Sequence, residues 1–140
     1  MVMSKGLMVA GLAGGSGKSV VSVGLTAALT RRGRVVVPFK KGPDYIDAGW
    51  MKLAAGRSCY NLDPFLMDEA VIQASFQEHG RAGERLIVEG NRGLYDGVNA
   101  TGGYSSAELA LMLNLPVLLV VNCSKTTRTV AAMVLGCQML

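Results

Sequence analysis

The sequence predicts an α/β fold of three layers, in which helices cover both faces of a mainly parallel sheet. Two observations carry that expectation. Short apolar runs such as Val35-Val36-Val37 and Leu86-Ile87-Val88 read as strands buried on both sides. Segments with apolar residues at helical spacing lie between such runs, so strand and helix alternate along the chain. A length of 140 residues fits one domain, and a 50% hydrophobic share supplies a packed core and argues against disorder.

The elements follow in order. Gly6 to Leu12 is a first strand that breaks at glycines. Gly17 to about Arg32 is a helix, with Val21, Leu25 and Leu29 at helical spacing and Gly33 as its stop. Arg34 to Phe39 reads as the second strand. Lys40 to Asp47 is turn-rich and leads into a short helix from Ala48 to Ala55. Asp63-Pro64 opens another helix, extending to about Gly80. Leu86 to Val88 is a short strand ending at Glu89. Ser105 or Ser106 caps a helix through Leu113, and Pro116 to Val121 is a further strand. Thr126 onward is helical. The chain stops inside that apolar stretch without a cap, as expected of a truncated fold within a larger protein.

Composition narrows the classes of function. A membrane span needs about 20 apolar residues. The most apolar region, Ala107 to Val121, is interrupted by Glu108, Asn114 and Pro116. The first six residues lack the pattern of a secretory leader, so the expected compartment is the cytoplasm. Cys59, Cys123 and Cys137 are an odd set without CxxC spacing, which points to buried free thiols and not to disulfides or zinc. A net charge of +4 suits polyanionic ligands without choosing among them. Arg31, Arg32 and Arg34 fall where a helix ends, and there they complement its dipole.

Three segments carry chemistry. The first is Gly11-Leu12-Ala13-Gly14-Gly15-Ser16-Gly17-Lys18-Ser19, set between a strand and a helix. Its glycines let backbone N–H groups wrap a phosphate chain, and the helix adds its positive end. Lys18 would reach the β- and γ-phosphates, and the Ser19 hydroxyl would ligate Mg²⁺. The strict GxxxxGK[ST] pattern would place its first glycine on Leu12. Gly11 stands one residue upstream, as in the longer loop of the dethiobiotin synthetase-like group. The fold expected is therefore of the P-loop NTPase type.

The second segment, Phe39-Lys40-Lys41-Gly42-Pro43-Asp44-Tyr45-Ile46-Asp47, follows the second strand. Carboxylates at the carboxyl end of a parallel strand face the ligand crevice. Asp44 and Asp47 would thus help hold Mg²⁺, and Lys40 or Lys41 would neutralise phosphate or a substrate carboxylate. The alternative is a Gly-Pro-Asp turn in which Asp47 caps a helix. The third segment runs from Glu89 to Gly97. Glu89 occupies the usual place of a Mg²⁺-associated carboxylate, with a helix cap or surface turn as the other reading.

Together these segments resemble the cobyrinic acid a,c-diamide synthase family. FKKGPDYIDAGW is similar to that family's FKxGPDYIDP segment. Asn61 to Phe65, Glu89 to Gly97, Ser105 to Ala110, Pro116 to Val121 and Ala131 to Gly136 follow the family's order. Departures occur at Leu12 and Gly14 (for Thr and Ser), Ala48 (for Pro), Met51 (for His) and Asn91-Arg92 (for Val-Met).

The resemblance implies an ATP-dependent amidation of acetate carboxylates on a corrinoid or related tetrapyrrole, with ammonia drawn from glutamine. Phosphoryl transfer to the carboxylate makes an acyl phosphate that ammonia displaces. It implies that Gly11, Gly14, Gly15, Ser16, Gly17, Lys18 and Ser19 bind ATP, and that Ser19, Asp47 and Glu89 serve Mg²⁺. Lys18, Asp44, Tyr45 and Asp96 become the catalytic candidates, and Lys41, Tyr95 and Asp96 the substrate-binding ones. Residues 1–140 would form an ATP-binding synthetase fragment, about the first third of the family's length and inactive alone with glutamine. The glutaminase domain would lie outside it. His79, the sole histidine, reads as a helix-end cap. A homodimer is compatible with this reading; nucleic-acid and membrane partners are not expected. Switch ATPases of the partitioning and cell-division type resemble a loop with an extra lysine where Ala13 stands. Dethiobiotin synthetase-like carboxylate activation is the other alternative.

Overall fold

The computed structural model describes residues 5–140. Among them, strands β1 (Gly6–Gly11), β2 (Val36–Lys41), β3 (Tyr60–Leu62), β4 (Arg85–Gly93) and β5 (Val117–Val120) alternate with helices α1 (Lys18–Arg31), α2 (Ile46–Ala55), α3 (Glu69–Gly80), α4 (Ser106–Met112) and α5 (Thr129–Met139). All strand pairs are parallel, in the order β3-β2-β4-β1-β5. Every strand therefore delivers its carboxyl end to the same edge of the sheet.

Side-chain alternation along the strands builds the three layers. Met8 and Ala10 of β1, Val37 and Phe39 of β2, and Leu86 and Val88 of β4 pack on one face with Ile72 of α3 and with Leu109 and Ala110 of α4. The intervening Val9, Val36 and Ile87 pack on the other face with Met51 of α2 and Val21, Leu25 and Leu29 of α1. The same alternation continues past the apolar residues. Lys40 follows Phe39 and Glu89 follows Val88, so both project toward the α1–α2 layer. Their Cα atoms are paired across β2 and β4.

Several element boundaries differ from the sequence reading, each for a local reason. β3 has only three residues and is defined by pairing Tyr60–Leu62 with Phe39–Lys41, not by a pattern of its own. Helix α3 begins at Glu69 and not at Asp63-Pro64. The Asp63 carboxylate accepts the Phe65 N–H at 2.9 Å, and its carbonyl accepts Met67 N–H, which holds the chain in a turn. Helix α2 begins two residues early because Asp44 Oδ1 accepts the N–H groups of Ile46 (2.9 Å) and Asp47 (3.1 Å). The capping role considered for Asp47 thus belongs to Asp44. Strand β4 extends well beyond Val88, to Gly93.

Ser105 caps α4 through a capping box with Glu108. Gly33 takes the left-handed conformation (φ 75°) after α1. Arg34 pairs with Glu84 at 3.4 Å. His79 does not serve as a simple cap: its ring stacks on Tyr60 with centroids 3.7 Å apart. The cysteines are free but not all buried: Cys123 is exposed and Cys59 and Cys137 are half-buried. Among the described residues no helix is long and apolar enough to cross a membrane.

Candidate functional site

The glycine loop leaves β1 and folds back on itself. A Cβ on Gly11 would stand 2.9 Å from the Ser16 Cβ and 3.2 Å from the Lys18 Cγ, so only glycine admits this return. Gly15 and Gly17 have φ of 73° and 97°, in the left-handed region. The Ser16 hydroxyl donates to Ala13 O at 2.8 Å and accepts the Ala13 N–H at 3.2 Å, which pins the turn. Gly14 has open space where a side chain would stand. Lys18 opens α1 and sends its ammonium back across the loop to Ala13 O at 3.0 Å. Burial pushes the Lys18 amine below its ordinary value, and the neighbouring Lys40 ammonium adds to that shift. An anion in the loop would oppose both effects.

At the ends of β2 and β4 the charges converge. Glu89 is fully buried, and its Oε1 accepts from Ser19 Oγ at 2.8 Å and from Lys40 Nζ at 2.9 Å. Lys40, itself 2% exposed, also donates to Gly90 O at 3.1 Å and lies 3.2 Å from Asp47 and 3.8 Å from Asp44. Burial pushes Asp47 upward, but the Lys40 ammonium together with hydrogen bonds with Lys40, Ser19 and Asp44 holds the carboxyl below its usual range. Ser19, Asp47 and Glu89 thus gather around Lys40 at the floor of a chamber of about 330 Å³ beside the glycine loop.

This donor set can be tested for Mg²⁺. Glu89 Oε2 is buried without a hydrogen-bond partner. Such an orphaned acceptor is costly unless something satisfies it. Carboxylate and hydroxyl oxygens are also the hard ligands Mg²⁺ prefers. Among the described residues no group of three or more His, Cys, Asp or Glu is arranged to hold a metal by itself. The residues fit the ion.

A second chamber of about 510 Å³ adjoins the first, and Asn91 and Arg92 line both. Lys41, Asp63, Phe65, Asp96 and Tyr104 contribute to its wall. Burial pushes the Lys41 amine down. Phe65 and Tyr104 meet edge to face, with centroids 5.7 Å apart. The Asp96 carboxylate accepts the Gly93 N–H at 2.9 Å. A Cβ on Gly93 would sit 2.5 Å from that carboxylate and 2.6 Å from Leu12 O, so this close approach requires glycine. Asn61 Nδ2 donates to Gly42 O (2.7 Å) and Asp44 O (3.0 Å), clamping the turn after β2.

The structure thus brings together the glycine loop, Lys18, Ser19, Asp47 and Glu89, and places Lys41 and Asp96 next door. It does not bring in every candidate. Asp44 commits one carboxylate oxygen to the start of α2 and holds the other 3.8 Å from Lys40, at the margin of the cluster, while Tyr45 is 81% exposed; neither residue lines a chamber. The Tyr95 hydroxyl donates to Cys137 O at 2.6 Å, also away from both. Sequence reasoning underrated Lys40, whose role depends on its register with Glu89. It did not name Asn61, Phe65 or Tyr104 as site residues.

A glycine loop after the first strand, a lysine opening the next helix and a buried carboxylate ending the adjacent parallel strand define a P-loop nucleotide-binding domain. The CbiA family model, described as the CobQ/CobB/MinD/ParA nucleotide binding domain, matches residues 7–139, and the chain belongs to that family. It is 54% identical over 121 residues to a cobyrinate a,c-diamide synthase of Magnetococcus marinus, covering 86% of this chain and 26% of that protein. A hydrogenobyrinate a,c-diamide synthase of Brucella anthropi is 48% identical over 133 residues, 94% of this chain and 30% of that protein. A cobyrinate a,c-diamide synthase of a Synechococcus strain is 46% identical over 133 residues, 94% of this chain and 29% of that protein. The chain therefore spans less than a third of the length of these relatives. The resemblance first seen in separate motifs extends over most of the chain.

Proposed function

We propose that this chain is the ATP-binding, carboxylate-activating part of a cytoplasmic amide ligase acting on acetate side chains of a cobyrinate-like tetrapyrrole. The observation that carries the reading is the shared wall. The phosphate chamber opens beside a second chamber that offers cations and an aromatic pair, as an acidic molecule with an apolar body requires. The names of the relatives support the substrate class.

A carboxylate is a poor electrophile because oxide is not a viable leaving group. Transfer of the γ-phosphoryl group from ATP to the carboxylate oxygen gives an acyl phosphate and ADP. Ammonia then attacks the acyl carbon, the C–O bond breaks as phosphate leaves with its electron pair, and the nitrogen sheds a proton to give the amide. Such transfer depends on positioning and charge neutralisation. The loop N–H groups and Lys18 would hold the phosphates, and Lys41 would attract the substrate's carboxylates. Ser19 and Glu89 would hold Mg²⁺, which supplies Lewis-acid charge neutralisation when bound, with Asp47 set behind Lys40. Asp96 would fix the Gly93 turn between the chambers. Ammonia would come from a glutaminase domain.

The test supplies the chain with ATP, Mg²⁺ and cobyrinic acid, with either ammonia or glutamine as nitrogen source. ADP release in step with amide formation from ammonia is expected, with glutamine serving only when a glutaminase is added. ADP release at the same rate without the corrinoid acid would contradict the reading and favour a nucleotide switch.

A further inference from the structure

The wall between the two chambers holds a cation that the chemistry above leaves without a task. Arg92 is exposed, lines both chambers and, among the described residues, enters no ion pair. The neighbouring cations are committed elsewhere. Lys18 crosses the glycine loop, Lys40 is enclosed by Glu89, Gly90 and Asp47, and Lys41 lines the second chamber but not the first.

The backbone at Arg92 is also held in an unfavourable place. Its φ is 53°, in the left-handed region that a long side chain seldom adopts. Its neighbours hold it there. Arg92 N–H donates to Asn91 Oδ1 at 2.9 Å, Ser106 Oγ accepts Asn91 N–H at 3.1 Å, and Gly93 N–H is taken by Asp96. Local strain maintained by several surrounding bonds is a reason to look for a function.

We propose that Arg92 is a specificity-determining residue: its guanidinium binds the substrate carboxylate that faces the nucleotide and offsets the repulsion between that carboxylate and the phosphate chain. The proposal rests on the amide-ligase reading and adds to it the group that makes two anions compatible. Two like charges a few ångströms apart repel strongly in a partly desolvated site. A guanidinium stays charged there, and its planar fork matches a carboxylate in a bidentate pair.

The test measures the affinity of the chain for cobyrinic acid by titration calorimetry, with and without Mg²⁺ and the non-hydrolysable β,γ-imido analogue of ATP. The variants are Arg92→Met, Arg92→Lys and Arg92→Gly. With the analogue bound, Arg92→Met should weaken acid binding by about tenfold to a hundredfold, the range for a lost charged hydrogen bond. Without the analogue the loss should be smaller, and the affinity for the analogue itself should change little. Arg92→Lys should retain part of the coupling. Arg92→Gly, which relieves the left-handed strain, should match Arg92→Met and so separate charge from folding.

Unchanged acid affinity in Arg92→Met with the analogue bound would overturn the proposal. Equal losses with and without the analogue would overturn it too, because Arg92 would then serve the acid alone. If the unmutated chain binds the analogue but never the acid, the amide-ligase reading falls first and the role of Arg92 with it.

Discussion

In the phosphate chamber the charged groups stand at strand ends and helix starts, whereas the second chamber is walled mostly by loops. Lys18, Lys40 and Glu89 are each 8% exposed or less; Lys18 bonds the glycine loop, and Glu89 joins Lys40 of β2 to Ser19 of α1, by bonds of 2.8–3.1 Å. Phe65 and Tyr104, by contrast, are 63% and 44% exposed, and Arg92 and Tyr104 hold left-handed backbones. On the proposed function, phosphate chemistry is thus built into the core, and changes at the Lys40–Glu89 pair should cost stability as well as function. The proposed substrate selection is built onto the surface, where side chains can change while the nucleotide site persists.

The largest expected effect tests the core side of that contrast. Lys40→Met would take from the fully buried Glu89 the ammonium that it shares with Asp47. Breaking a buried ion pair from one side costs about 3–5 kcal/mol, so chemical denaturation should show a loss of that order. A loss below about 1 kcal/mol would mean that the charge cluster is not integral to the fold.

Lys18→Ala separates binding from folding within the same chamber. Mg-ATP affinity should fall by about a hundredfold, the upper range for a charged hydrogen bond, with the unfolding midpoint little moved. Unchanged affinity by calorimetry would remove the glycine loop from the nucleotide site. On the loop side, Phe65→Ala should weaken cobyrinic acid binding by about tenfold through the lost aromatic wall. The same variant should leave nucleotide affinity unaltered. Equal losses for both ligands would show that the chambers are not separable.

The smallest effect is a matter of thiol reactivity. Burial pushes the Cys59 thiol up to about 12, under the face of the sheet that carries Lys40, whereas Cys123 is exposed. The thiolate is the reactive form. Alkylation at neutral pH should therefore label Cys123 and spare Cys59. Lys40→Met removes an ammonium that favours the Cys59 thiolate, so in the folded variant Cys59 should stay unlabelled, as read by mass spectrometry of the two peptides.

How much of this was legible in the sequence follows the same division. The glycine loop declares itself because phosphate binding demands glycines, Lys and Ser at fixed spacing between a strand and a helix. The three-layer fold was equally open, since its strands are apolar on both sides. The link between Lys40 and Glu89 was not. It depends on the parallel register of β2 against β4, which no local pattern encodes. Strand β3 was hidden for a related reason, being too short to show a period. The aromatic wall joins Phe65 and Tyr104 across 39 positions of chain, and Asp44 took the capping role because its carboxylate reaches two N–H groups at once.

On the proposed function, the two chambers cooperate to phosphorylate a carboxylate. This is tested most directly by trapping the acyl phosphate with hydroxylamine in the absence of ammonia. Incubation with ATP, Mg²⁺ and cobyrinic acid should yield a corrinoid hydroxamate in step with ADP, and Glu89→Gln should lose most of both. ADP formed without hydroxamate, or at an equal rate when the corrinoid acid is left out, would contradict it.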